Sequence, residues 1–164
     1  MAVKFEASVV GKCRSEHVWQ KLQELPQWGW WNPIVGQSRW LEGKPWEKGS
    51  RFFMELARPR RMAMKCEVLE AAPPGKVAWV GKGGGVSGEH WFAFEEQADG
   101  TTSIKTWETL TGLATVFLGG GMKAKIQRMH EEWLESMKNE AEKIAREETA
   151  RGPGGTLPVI QQPK

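Results

Sequence analysis

A long apolar stripe runs through the last third of the chain. Its members recur every three or four residues in a segment otherwise rich in Lys, Glu and Arg: Met122, Ile126, Met129, Trp133, Met137, Ala141 and Ile144. This spacing predicts one face of a single long helix. Because no other helical pattern of comparable length is present, we expect a sheet to cover that face.

Short alternating segments, typical of half-buried strands, fill most of the chain before that helix. The first covers residues 3–13. A short helix over 16–25, capped by Ser15 and ended by Pro26, and a helical turn over 28–32 come next. Six further strands are predicted between Gly, Pro or charged turns, at residues 34–41, 51–57, 62–71, 76–81, 86–97 and 101–112. Their short connections indicate an antiparallel meander.

The predicted fold class is therefore α+β. A seven-stranded antiparallel sheet would wrap around the long C-terminal helix, with two short helices between the first and second strands. A sheet folded over one helix closes at one end and stays open at the other. A stripe built from Met and Trp packs adaptably, so we expect an internal cavity.

The hairpin between the last two strands carries the sharpest prediction. The loop 98–100 suits a three-residue turn with Gly100 in the left-handed conformation. In that register His90 faces Glu108, and both side chains lie on the concave face of the sheet. A two-residue turn at 99–100 is the alternative, and it would shift the register by one and separate the pair.

A buried imidazole and carboxylate would hold each other charged or hydrogen-bonded, because an isolated buried charge costs several kcal/mol. His90 and Glu108 are therefore candidates for anchoring a ligand or for moving protons, with a structural hydrogen bond as the alternative. The residues expected to line the cavity, unless core packing alone explains them, are Trp28, Trp31, Phe52, Met54, Met64, Cys66, Trp79, His90, Phe92, Phe94, Thr106, Glu108, Leu110, Met122, Ile126, Met129 and Trp133.

Other conspicuous segments receive simpler interpretations. The glycines at 119–121 form either a gate or a tight turn before the last helix, and those at 83–85 form a strand connection. The basic cluster at 58–61 is interpreted as a turn. His17 and His130 are expected on helix exteriors, without a function.

Composition excludes several classes of protein. The chain has 164 residues, is 40% hydrophobic and 26% charged, and carries a formal charge of +3, which is typical of one ordinary globular domain. The scattered positive charge argues against nucleic acid as a partner. No apolar run is long enough for a membrane span, and no secretory signal is visible, so we expect a cytoplasmic protein, monomeric or homodimeric.

The two cysteines, Cys13 and Cys66, show no metal-ligand spacing and are expected to be reduced core thiols. We find no metal, nucleotide or cofactor motif. Residues 1–150 are predicted to form the domain, and the Gly- and Pro-rich residues 151–164 a disordered tail.

Several short motifs occur in an order that is shared with a known family: WGWWNP (28–33), VAWVG (77–81), GEHWFAFE (88–95), DGTT (99–102), WE (107–108) and Gly112. Followed by an amphipathic helix, they resemble the START-like (SRPBCC) superfamily, in particular its polyketide cyclase/dehydrase-like members. The resemblance implies a helix-grip fold with a ligand cavity between sheet and helix. Members of the superfamily bind or act on lipids, sterols, polyketides and plant metabolites.

The expected function is binding of a hydrophobic, polycyclic or aromatic small molecule, as a carrier or a sequestering protein. An aromatase/cyclase or dehydratase is one alternative, with His90 and Glu108 moving protons. Cyclase members often rely on a cavity Tyr or Arg, and this chain contains no Tyr. A self-resistance protein that traps a toxic natural product is the other alternative.

Overall fold

The fold, seen in a computed structural model that describes residues 2–154, is a seven-stranded sheet folded over one long helix. The elements in chain order are β1 (Val3–Gly11), α1 (Ser15–Gln23), α2 (Trp28–Trp31), β2 (Val35–Glu42), β3 (Arg51–Leu56), β4 (Met62–Ala72), β5 (Lys76–Gly83), β6 (Val86–Glu96), β7 (Thr102–Thr111) and α3 (Gly120–Arg151). A short 3₁₀ segment, Leu113–Phe117, precedes α3 and is called the mouth turn below.

The sheet confirms the predicted fold class. Its strand order is β1-β7-β6-β5-β4-β3-β2, and every neighbouring pair is antiparallel. Only the step from β1 to β2 crosses the sheet, and α1 and α2 occupy that crossing. We call the space between the sheet and α3 the grip. The two short helices close one end of it, while α3 packs along β1 and α1.

The hairpin register is the one predicted from the three-residue loop. Gly100 has a φ of 83°, and the Gln97 amide donates a hydrogen bond of 2.8 Å to the Thr101 carbonyl. His90 therefore lies directly opposite Glu108. The alternative two-residue turn is wrong, because it would shift the pairing of β6 with β7 by one residue.

The long helix extends further and buries a wider face than its apolar stripe predicts. It continues to Arg151, so that residue does not belong to the tail, and residues 155–164 lie outside the described part of the chain. The buried face of the helix includes His130 and Leu134 beside the stripe. The prediction of an exterior His130 is wrong, because its ring stacks on Phe5 of β1 and lies beside Glu108 of β7.

The start of α1 also differs from the prediction. Ser15 lies inside the helix rather than capping it, and its amide and hydroxyl both donate to Glu96 Oε1. His17 is buried rather than exterior. Its Nδ1 accepts from the Arg14 amide, and its Nε2 lies 2.7 Å from Glu148 on α3, so it holds the two helices together.

Three smaller expectations concern membrane spans, thiols and a turn. No helix within residues 2–154 is long and apolar enough to cross a bilayer. Cys13 and Cys66 are buried free thiols, as predicted. The basic cluster at 58–61 does connect two strands, β3 and β4.

Candidate ligand cavity

A cavity of about 320 Å³ lies at the open end of the grip, between the first half of α3 and the strand connections facing it. Its walls are mostly apolar, with Glu108 and Arg60 as the ionisable lining residues. The lining consists of Leu56, Pro59, Arg60, Met62, Met64, Gly84, Val86, Glu108, Leu110, Ala114, Phe117, Leu118, Met122, Ile126 and Met129.

The structure places only part of the predicted set at this cavity. Six of the predicted residues line it: Met64, Glu108, Leu110, Met122, Ile126 and Met129. The others are buried in the core or packed against it, away from the cavity wall: Trp28, Trp31, Phe52, Met54, Cys66, Trp79, His90, Phe92, Phe94, Thr106 and Trp133.

The misplaced residues are mainly aromatic, and their mutual contacts explain the correction. Trp79 packs on Trp28 with a centroid distance of 5.6 Å and on Phe92 with one of 5.4 Å. Aromatic pairs gain stability from such close stacked and tilted contacts beyond simple burial. They therefore fill the closed end of the grip as a solid core, and the open end is left to Met and aliphatic side chains.

The rim of the cavity was not predicted. Pro59 and Arg60 reach it from the β3–β4 connection, and Gly84 from the β5–β6 connection. The mouth turn supplies Phe117, whose side chain is 87% exposed. An apolar run directly before three glycines was the available signal, since exposed apolar side chains beside a cavity commonly mark binding sites.

Glu108 is the buried polar group at the inner end of the cavity. Its Oε2 lies 3.0 Å from Nε2 of His130 on α3, and its Oε1 lies 4.0 Å from Nδ1 of His90 on β6. The pairing of His90 with Glu108 is the one predicted from the hairpin, whereas the shorter contact with His130 was not predicted. The carboxylate is therefore held between two imidazoles from opposite layers of the fold.

Two glycines facing each other on β5 and β6 make room for this arrangement. Gly81 pairs with Gly88 in the sheet. A Cβ atom at Gly88 would lie 2.5 Å from Oε1 of Glu108, and one at Gly81 would lie 2.9 Å from Cε of Met64. A side chain at Gly88 would have to displace the buried Glu108 carboxylate, whereas the Met64 methyl group near Gly81 is the end of a flexible side chain and can move.

Burial and proximity set the charges of this group. Burial lowers the pKa of His90 to about 3, a shift that the nearby Glu108 opposes, so His90 is neutral at pH 7. For Glu108, burial raises the pKa, the interactions with His90 and His130 outweigh that effect, and its net pKa lies below the ordinary value. The cavity therefore ends in a carboxylate that accepts hydrogen bonds.

The seven-stranded antiparallel sheet, the long C-terminal helix and the cavity between them define a START-like helix-grip protein. By sequence, the chain belongs to the family of polyketide cyclase / dehydrase and lipid transport proteins, whose family model matches residues 2–142. This confirms the resemblance seen in the motifs. No curated protein matches the chain in sequence.

Solved structures with the same fold come from several bacteria. A hypothetical protein (jhp0584) from Helicobacter pylori has a TM-score of 0.74 at 17% identity over 85% of this chain and 88% of its own. The Zhui aromatase/cyclase from Streptomyces sp. R1128 has a TM-score of 0.73 at 14% identity over 95% of this chain and 100% of its own. A START superfamily protein from Mycobacterium smegmatis has a TM-score of 0.66 at 12% identity, over 88% and 97%. At these identities the likeness shows the fold alone.

Proposed function

We propose that the protein binds a hydrophobic small molecule in the cavity at the open end of the grip. The observation that carries this proposal is an apolar cavity of about 320 Å³ with one buried carboxylate, Glu108, at its inner end. Small-molecule sites are typically apolar clefts of roughly 300–1,000 Å³ with a few polar groups that fix orientation. The volume suits a compact ligand.

The chemistry of the walls defines the class of ligand. Met64, Met122 and Met129 offer flexible, polarizable contacts to an apolar body. The Glu108 carboxylate accepts hydrogen bonds, so the buried end of the ligand would carry a donor such as a hydroxyl or amine. His90 was expected as a second anchor, but it lies behind Glu108 and does not line the cavity.

A dye titration with a cavity-filling variant tests the proposal. We expect saturable fluorescence of 1-anilinonaphthalene-8-sulfonate with the native protein. Met122→Trp should weaken dye binding, because Met122 lines the cavity and the larger ring occupies it. Ala124→Trp is the matched control, since it places the same ring on an exposed position of the same helix turn. Equal dye affinity in all three proteins would contradict the proposed cavity site.

Acid–base catalysis by Glu108 is the second candidate, as in an aromatase/cyclase or dehydratase. The 3.0 Å contact with His130 favours it, because a carboxylate beside an imidazole in a mostly apolar cavity can exchange protons with a substrate. Glu108→Gln should then abolish turnover of a polyketide substrate and retain substrate binding. Unchanged turnover in that variant would eliminate this candidate.

A carrier and a self-resistance protein perform the same binding step. They differ in what binding does for the cell. Expression of a self-resistance protein should protect a sensitive host against the bound compound, and Met122→Trp should remove that protection while Ala124→Trp retains it. A carrier would confer no such protection.

A further inference from the structure

Three potential metal ligands converge around Glu108, which lines the cavity, while the two histidines lie outside the cavity wall. His90 on β6, Glu108 on β7 and His130 on α3 each offer one ligand atom, and these atoms all lie within 4.8 Å of one another. All three residues are buried. They come from three separate elements, so the fold, and no local sequence motif, brings them together.

The hydrogen bonds of the two imidazoles determine which nitrogens face inward. The Thr106 hydroxyl donates to the Trp91 carbonyl, so its oxygen is left to accept from Nε2 of His90 at 2.7 Å. Nδ1 of His130 lies 2.9 Å from the Ile126 carbonyl, which can only accept. Each ring therefore uses its outer N–H for a fixed partner and directs its other nitrogen toward Glu108.

This is the usual arrangement of metal-binding histidines. A ligating imidazole donates its second N–H to a carbonyl or another polar group, which fixes both the tautomer and the ring orientation. Here a side-chain hydroxyl and a backbone carbonyl take that role for His90 and His130.

The inward nitrogen of His130 is one of four buried side-chain nitrogen atoms in the described part of the chain that have no hydrogen-bond partner, and of these it is the one beside a carboxylate. The side chain is fully buried, and within residues 2–154 Nε2 has no hydrogen bond of good geometry, although Glu108 Oε2 lies 3.0 Å away. A lone pair so close to a carboxylate oxygen is repelled unless a proton or a metal ion lies between the two atoms. A buried polar atom without a partner is destabilising, so a shared proton or a bound metal ion would stabilise this site.

The ligand spacing fits a small divalent ion. Two ligands about 2.1 Å from a tetrahedral zinc ion lie roughly 3.4 Å apart. His130 Nε2 lies 3.0 Å from Glu108 Oε2, slightly less than that, and His90 Nδ1 lies 4.0 Å from the other oxygen, Oε1, slightly more. An ion between the two imidazoles would be bound by both nitrogens and by one or both oxygens of Glu108, since the three ligand atoms already lie within 4.8 Å of one another.

We propose that His90, Glu108 and His130 form a binding site for a divalent first-row transition metal ion, such as zinc, cobalt or ferrous iron. Two histidines and a carboxylate are a ligand set that such ions accept while keeping an open coordination position. Because Glu108 lines the cavity, the open position would face the cavity, where a polar group of a guest molecule could bind the ion. The proposal does not depend on the proposed function, since it can be tested with the metal alone.

Cobalt titration of the metal-free, tag-free full-length protein tests the site. We expect one equivalent of Co²⁺ to bind, with visible d–d absorption and no thiolate charge-transfer band. His90→Gln, Glu108→Gln and His130→Gln should each weaken Co²⁺ binding by at least about tenfold, the smallest loss seen when even a supporting partner of a metal ligand is removed. His17→Gln is the matched control, because His17 is also buried but pairs with Glu148 elsewhere.

A second measurement avoids variants that fail to fold. Zn²⁺ added to the native protein should shift the NMR signals of Nδ1 of His90 and Nε2 of His130, and it should leave the ring of His17 unchanged. Absence of saturable Co²⁺ binding would overturn the proposal, as would a thiolate band from Cys13 or Cys66. Unshifted His90 and His130 signals would show an imidazole–carboxylate cluster without metal, which also overturns it.

Discussion

Trp133 of α3 packs edge-on against Trp28 of α2, with ring centroids 5.6 Å apart and ring planes at 76°. Both side chains are only 1% exposed. The contact joins the C-terminal helix to the segment that crosses between β1 and β2. The closed end of the grip is therefore held together by ring packing between elements that are distant in sequence.

Removing one of these rings should be costly. Trp133→Ala is expected to lower the free energy of unfolding by about 3–5 kcal/mol, because the surrounding rings cannot collapse into the space left behind. Urea denaturation followed by circular dichroism measures this. Phe117→Ala is the control, since its ring is exposed at the cavity rim and its loss should change stability by no more than about 0.5 kcal/mol. Similar losses in both variants would contradict the division into a solid end and an open end.

A methyl group at position 88 should displace the Glu108 carboxylate while leaving that residue in the chain. Gly88→Ala would place Cβ against Glu108 Oε1, so we expect a loss of about 1–3 kcal/mol in stability from overpacking and weaker Co²⁺ binding. Denaturation and cobalt titration measure the two effects. Gly75→Ala is the matched control, because its nearest neighbour, the Phe94 carbonyl oxygen, would be at an ordinary 3.7 Å. If Gly88→Ala behaves like the control, the tight fit at Glu108 is not real.

Replacing a glycine at the start of α3 with alanine should raise stability, in contrast to Gly88→Ala. Gly121 is an exposed residue of the first helical turn, and a Cβ atom there meets nothing within 4 Å. Gly121→Ala should therefore raise stability by up to about 1 kcal/mol by restricting the unfolded chain. Gly112→Ala provides the contrast, because Gly112 has a φ of 113° and lies close to the Gly85 carbonyl, so that variant should be destabilised. Thermal denaturation measures both.

Gly121→Ala also distinguishes the two interpretations of the segment 119–121, a gate and a tight turn before the helix. If the segment acts as a gate, Gly121→Ala should slow dissociation of a bound dye in stopped-flow measurements. If it is only the start of a helix, stability should rise and the dissociation rate should stay the same.

The two thiols should be inert in the folded protein. Burial raises the pKa of Cys66 to about 12 and that of Cys13 to about 11, with nearby carboxylates adding to both shifts. Because the thiolate is the nucleophile, neither should react with iodoacetamide at pH 8. Mass spectrometry should show both alkylated only after denaturation. Rapid modification of the native protein would contradict the buried placement of the modified thiol.

The hairpin shows how far local sequence can specify a distant pair. One loop length and one left-handed glycine fix the register of β6 on β7, and the alternation of side chains then places His90 opposite Glu108. No long-range information is needed, because both residues belong to one hairpin. The fold class was predictable for a similar reason, since strand and helix periods are local properties.

The third member of the cluster was not predictable in this way. His130 follows Met129 directly and lies beside the apolar stripe, among charged neighbours. Its burial depends on how far the sheet curves around α3, which no local pattern specifies. The buried row Ile126, His130 and Leu134 becomes visible only once that curvature is known.

Most of the residues that line the cavity were not predicted, and the reason is different again. Apolar side chains that face inward look alike in sequence whether they touch a void or each other. Trp79 and Phe92 lie on the concave face as expected, but they pack against neighbouring rings and do not border a void. The volume left over is a property of the whole packing.

The strand order also has a consequence for how the chain is made. β1 leaves the ribosome first, yet within the described chain its one strand partner is β7, which is synthesised after every other strand. Until β7 emerges, the edge of β1 has no backbone to bond with. Folding of the sheet must therefore be completed late in synthesis, and nascent chains that stop before β7 should be prone to aggregation.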